Sequence, residues 1–200
     1  MDLSDITVMI LTHNEQANIR RTLDHLPGVS KVLIVDSFST DETLEIAAQF
    51  DAVDTVQRDF DHFADQCNFG LAQVQTPWVL SIDADYQCGE RFLTELSQLR
   101  ATEDAYLARF KYGVFGHPLR ASLYPPRVVL YRRDKAKYER DGHAHRVAID
   151  GSIGELGETI LHDDWKPVST WLHSQTRYAL MEAEKLEKSP RKELGWKDRL

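Results

Sequence analysis

Four short apolar runs, rich in β-branched residues, punctuate the first half of the chain at 6–11, 32–35, 53–56 and 78–82, and an amphipathic stretch fills each gap. Runs this short and this apolar read as strands buried on both faces, whereas the gaps carry helical spacing. Ile19, Leu23 and Leu26 share one face of a helix over 18–26, and a second helix over 41–50 opens with Ser39 and Glu42 as a capping box. Phe63, Cys67, Leu71 and Val74 stripe a third helix, and Leu93, Leu96 and Leu99 a fourth. Strands joined through helices pair in parallel, because a parallel partner is reached only by a crossover. The first hundred residues are therefore expected to build an α/β unit, with a mostly parallel, Rossmann-like sheet and helices on both faces.

In such a sheet, ligands bind outside the carboxyl ends of the strands. Three of those ends carry polar clusters: Thr12-His13-Asn14-Glu15, Asp36-Ser37-Phe38-Ser39-Thr40-Asp41 and Asp83-Ala84-Asp85. The strand interiors are apolar, so acids gathered at one edge point to a shared ligand. A hard divalent cation, Mg2+ or Mn2+, takes carboxylate oxygens together with substrate phosphates. In an Asp-x-Asp pair one acid can meet the metal while the other orients a ribose or a ligating water. Asp36 can accept from a nucleobase N–H or a ribose hydroxyl. Thr12, Asn14 and Glu15 supply small and polar groups where a planar base can lie. Ser39 reads equally as a helix cap, and Asn14 as the cap of the helix that follows it.

After residue 101 the pattern changes to aromatic, alternating segments broken by Gly and Pro, as at 106–115 and 128–132, which read as antiparallel additions. A long C-terminal helix is expected over 167–188, with Val168, Leu172, Ala179 and Leu186 among its apolar positions and Trp165 and Trp171 in packing roles. Two hundred residues, 42% of them hydrophobic, suit one globular core. A net charge of -8 does not suit a phosphate-backbone footprint, so nucleic acid is not expected as a partner. Cys67 and Cys88 form no CxxC pair, and no secretory leader is read, so a reduced, cytoplasmic setting is expected. No apolar run approaches the ~20 residues that cross a bilayer. Residues 185–200 hold six Lys or Arg against three Asp or Glu, and with Trp196 they offer a peripheral contact to an anionic membrane. Their helical pattern reaches Leu200, so the chain is expected to continue beyond it.

The segments TVMILTHNEQANI, VLIVDSFSTDETLEIA, FADQCNFGLA and WVLSIDADY, in this order and spacing, resemble family 2 glycosyltransferases of the GT-A fold. Over the first hundred residues that resemblance implies a nucleotide-sugar-binding half with a UDP-type donor. Asp36 and the Ser37 turn would lie near the base, Asp83 near the ribose, and Asp85 on a metal bridging the diphosphate. Gln66 and Asn68 match positions that face the donor. Residues 101–166 would form the acceptor-side half, and 167–200 a C-terminal helix with a membrane-proximal tail. Asp141-Gly142-His143-Ala144-His145-Arg146-Val147, with Gly151, Leu156 and Ile160-Leu161-His162, is similar to a subgroup that builds bacterial lipopolysaccharide cores and surface polysaccharides. That implies a glycan or lipid-linked oligosaccharide acceptor at the inner membrane.

The subgroup carries His-Glu where this chain has His145-Arg146. Inverting transfer needs a group to take the acceptor proton, and an arginine cannot be that base. Asp141, His145 and Asp163 are the candidates, while Arg146 can steady a diphosphate or an anionic acceptor. His162 is either a metal or phosphate contact or a structural histidine. Two rival readings remain open here. One is an aspartate-nucleophile phosphatase of the HAD type, since Asp83-Ala84-Asp85 is followed downstream by Asp163-Asp164. The other is a catalytically silent nucleotide-sugar-binding subunit, given Arg146.

Overall fold

The computed structural model describes residues 1–120, 125–141 and 144–188, with the side chains of 141, 144, 145, 182, 184–186 and 188 outside that description. The four expected strands form as β1 (Ile6–Thr12), β2 (Val32–Asp36), β3 (Val53–Gln57) and β4 (Trp78–Asp83). They alternate with α1 (Ile19–Asp24), α2 (Thr43–Ala47) and α3 (Phe63–Gln73). A two-residue strand β5 (Tyr86–Gln87) and α4 (Gly89–Gln98) follow. The second half adds β6 (Ala105–Val114), β7 (His117–Pro118), β8 (Arg127–Arg132), β9 (Ala136–Asp141), β10 (Ala144–Ile149), β11 (Ile153–His162) and α5 (Val168–Lys188).

The main sheet runs β3-β2-β1-β4-β8-β6-β11-β5, with β7 on β6. The first four strands pair in parallel, and β8 inserts antiparallel between β4 and β6. Strand β11 rejoins parallel to β6, so the second half is mixed rather than purely antiparallel. Strands β9 and β10 form a separate hairpin.

Alternation along the central strands splits the core into two. Val8, Ile10, Ile34, Leu80 and Ile82 face Ile19 and Leu23 of α1, Phe92, Leu93 and Leu96 of α4, and Leu156 and Ile160 of β11. On the other face Met9, Leu33, Val35 and Val79 meet Ala64, Cys67 and Leu71 of α3, with Tyr131 and Tyr138. Each such side chain contributes about 1.5–3 kcal/mol when it leaves water, which is why single apolar runs suffice to order the sheet.

The close approach of α3 to the sheet depends on Gly70. A Cβ there would lie 2.7 Å from Val35 Cγ2 and 2.8 Å from Met9 Sδ. Gly70→Val is therefore expected to lower the free energy of unfolding by about 2 kcal/mol through overpacking, read as a lower urea midpoint. An unchanged midpoint would show that α3 can lift away at no cost.

The long helix forms from Val168, but it does not pack as its apolar positions predict. Val168, Trp171, Leu172 and Leu180 are all more than half exposed. Trp165, expected in packing, is likewise exposed. Among the described residues no helix is long and apolar enough to cross a membrane.

Candidate functional site

Parallel register brings the three polar strand ends to one edge. Thr12 pairs in register with Asp36 on one side of β1, and Leu11 with Asp83 on the other. With strands about 4.8 Å apart, the acids of β2 and β4 thus flank the end of β1 within one cleft-sized span.

The loop after β2 is built around Asp36, which is fully buried. Its carboxylate accepts from Thr12 Oγ1 at 2.8 Å, Ser39 Oγ at 2.5 Å, Ser39 N at 2.9 Å and Gln57 Nε2 at 3.0 Å. Burial pushes the carboxyl up, but the bonds from Ser39, Gln57 and Thr12 outweigh it and hold the group below the usual carboxylate range. Donors from Thr12 on β1, Ser39 in the loop and Gln57 on β3 fill the acceptor directions of Asp36, so it organises the cleft wall.

The neighbouring residues complete that wall. Asn14 Oδ1 accepts Thr40 N–H at 2.8 Å, and Ser39 Oγ accepts Asn14 N–H at 2.9 Å. Ser39 is therefore committed to this cross-loop contact and not to a capping box. Helix α2 begins at Thr43 instead, where Asp41 accepts the Thr43 N–H at 3.0 Å. Asn14 and Phe38 hold left-handed backbone, with φ of 56° and 54°. For Phe38 that conformation costs energy, and the dense bonding of the loop sustains it.

Gln66 and Asn68, expected to face the donor, have other partners. Gln66 is fully buried, donating to Ser37 Oγ at 2.9 Å and to the Arg58 carbonyl at 3.1 Å, and accepting from Arg58 at 2.7 Å. Asn68 exchanges two 2.9 Å bonds with the Tyr138 backbone, fastening the β9–β10 hairpin to α3. Both act by holding the frame, Gln66 through Ser37 and Asn68 through the hairpin.

At the β4 end the chain turns straight into β5, whose Tyr86 pairs with His162 at the far edge of the sheet. That pairing brings His162 Nε2 to 3.2 Å from Asp85 Oδ2, across 77 residues of sequence. The imidazole lies between the rings of Tyr86 and Tyr112, with centroids at 5.0 and 4.6 Å. Burial lowers its proton affinity, but the Asp85 carboxylate, aided by Asp83 and Asp164, raises it above the ordinary histidine value. Asp85 Oδ1 is buried and has no hydrogen-bond partner among the described residues, a costly state unless a cation or donor reaches it. Among the described residues no three His, Cys, Asp or Glu converge as a metal cage. A cation here would thus draw on Asp85, the imidazole nitrogen of His162 and oxygens of its substrate. Asp83 is half-exposed, with Arg127 Nη1 at 3.8 Å.

Asp163 is not placed as a base. It is fully buried, and Oδ2 accepts from Arg21 Nη2 at 2.6 Å, Trp165 Nε1 at 2.7 Å and Gly116 N at 2.8 Å. A carboxylate paired this way cannot meet an acceptor hydroxyl. Arg146 lies exposed on β10 opposite Glu139, and among the described residues no bond joins it to the Asp85 cluster. Asp141 and His145 sit at the ends of β9 and β10, and their side chains lie outside the described residues.

Sequence reasoning missed a clasp that seats this site. Asn18 Nδ2 donates to Glu15 Oε2 at 3.0 Å and to Asp164 Oδ1 at 2.8 Å, while Asn18 Oδ1 accepts Trp165 N–H at 2.8 Å. Lys166 Nζ donates to Glu15 at 2.7 Å, and Arg21 stacks on Trp165 at 4.0 Å. The only local hint was a His-Asp-Asp run needing counter-charges from elsewhere in the chain.

A family model described as glycosyl transferase family 2 matches residues 7–148. The chain belongs to that family. Among relatives of this family 2 protein, the lipopolysaccharide core biosynthesis glycosyltransferase LpsC of Rhizobium meliloti is 24% identical over 190 residues, covering 90% of this chain and 70% of LpsC. An uncharacterized glycosyltransferase of Rickettsia felis is 32% identical over 109 residues, and the match spans 53% of this chain but only 38% of that protein. The fold is similar to that of S. aureus TarS 1-349 in complex with UDP-GlcNAc, at a TM-score of 0.64 and 17% identity over 81% of this chain and 59% of that one. This family 2 chain therefore has a GT-A fold, and family membership removes the phosphatase reading.

Proposed function

We propose that this protein transfers a sugar from a nucleotide donor of the UDP type to a hydroxyl of a glycan or lipid-linked acceptor in cell-envelope polysaccharide synthesis, with inversion and with a divalent cation. The observation that carries the reading is the buried, unpartnered Asp85 Oδ1 beside His162, on the same sheet edge as Asp83 and the Asp36 loop. The similarity to LpsC supports the envelope setting, and the fold shared with a UDP-GlcNAc complex supports the donor class.

In this reading Asp85 and His162 would hold the cation, which would supply charge neutralisation for a departing diphosphate. Asp83 accepts from the ribose. Thr12, Asn14, Glu15, Asp36 and Ser37 shape the wall against which the base lies. Asp141 on β9 or His145 on β10 takes the acceptor proton, and Arg146 on β10 steadies an anionic acceptor. A peripheral membrane contact at the cytoplasmic face belongs to the same proposal.

The deciding experiment is thermal denaturation with UDP-, GDP- and TDP-sugars, each with and without Mn2+, followed by donor turnover with glycan acceptors. A ligand at about 100 times its Kd adds ~2.7 kcal/mol to the native state. The expected result is stabilisation by a UDP-sugar that needs Mn2+, together with turnover. Binding without turnover over a broad acceptor panel would favour a silent subunit, and no binding of any nucleotide sugar would defeat the proposal.

A further inference from the structure

Lys166, the cationic half of a partly buried ion pair at the site, has no part in the mechanism above. Lys166 and Glu15 meet at 2.7 Å, with side chains 23% and 14% exposed. Lys166 follows His162 on the connector between β11 and α5. That connector is anchored by Asn18 through the Asp164 side chain and the Trp165 N–H, and by Arg21 through the Asp163 carboxylate and carbonyl. Among the described residues the Lys166 ammonium has a single close partner, Glu15, and it feels the charges of Asp164 and Asp85.

We propose that Lys166 is a contact for the donor diphosphate, stored beside the metal-binding edge by Glu15 and handed over when the donor arrives. The inference rests on the nucleotide-sugar reading and deepens it. Asp83, Asp85, Glu15 and Asp164 make this edge rich in carboxylates, a poor environment for a polyanion unless fixed positive charge accompanies it. A lysine suits that task, being a point charge on a flexible stem that can swing from a carboxylate to a phosphate while its backbone stays fixed. Glu15 can release it without being left alone, because its Oε2 keeps the Asn18 Nδ2 donor at 3.0 Å.

The test compares UDP and UMP binding, with Mn2+ present, by calorimetry on the full chain and on Lys166→Met, Lys166→Arg and Glu15→Gln. Methionine keeps the apolar stem and removes the charge. Lys166→Met is expected to weaken UDP about tenfold or more while changing UMP much less. Lys166→Arg should recover part of the loss, and Glu15→Gln should tighten UDP severalfold. A merely structural lysine would weaken both nucleotides in equal ratio, and that result, or unchanged UDP binding, would overturn the assignment. Should Lys166→Met fail to fold, Glu15→Gln decides alone, with weaker or unchanged UDP counting against the handover. If the unaltered protein binds neither nucleotide, the nucleotide-sugar reading fails first and this inference falls with it.

Discussion

Asp85→Ala is expected to abolish metal-dependent donor turnover, a loss of about a thousandfold or more, while the protein stays folded. The magnitude follows from what a neutralising charge at a departing diphosphate contributes, several kcal/mol of differential stabilisation. The fold survives because Asp85 makes little structural use of its carboxylate. One oxygen meets His162 and the other meets nothing, so its removal takes away a buried, poorly compensated charge. Far-ultraviolet circular dichroism and the urea midpoint should match the unaltered protein, whereas Mn2+ should no longer sharpen nucleotide binding. Full activity of Asp85→Ala, or undiminished activity of the native protein in excess chelator, would exclude the metal role given to Asp85.

Arg21→Met should produce the largest loss of stability, about 3 kcal/mol or more. Among the described residues Arg21 is the only formal positive charge bonded to Asp163, whose side chain is 0% exposed. Without the guanidinium, a fully buried carboxylate keeps two neutral donors, Trp165 Nε1 and Gly116 N, while its other oxygen already has none. The change also removes the Arg21 bond to the Asp163 carbonyl and the stacking on Trp165. Urea unfolding measures the loss. Arg21→Met combined with Asp163→Asn should recover much of it, because the costly element is the charge left alone and not the missing bond. A drop below about 1 kcal/mol would mean that water reaches Asp163 and that the pair behaves as a surface one.

The second variant also bears on the site. Asp163 follows His162 directly, and its N–H donates to the Asp85 carbonyl at 3.1 Å. Gly113 shares the arrangement, since a Cβ there would lie 2.9 Å from the Asp163 carboxyl carbon. A residue that looks like a catalytic acid in the sequence thus serves as the anchor that seats a neighbouring histidine.

The four central strands, their parallel pairing and the polar residues at their ends were legible in the sequence, because apolar alternation and turn chemistry are local and leave their mark within a few residues. The convergence of Asp36, Thr12 and Asp83 follows directly from parallel register once those strands exist. Which of the polar residues face a ligand was not legible. Asp36, Gln66 and Asn68 carry the right groups at the right strand or helix positions, yet a buried polar side chain takes the partner that tertiary packing brings to it. Only the fold could join Arg21 to Asp163 and Glu15 to Lys166, pairs 142 and 151 residues apart. Periodicity determined where this chain could place charges, whereas the need to compensate each charge removed from water, met by whichever distant residue the sheet delivered, decided what those charges do.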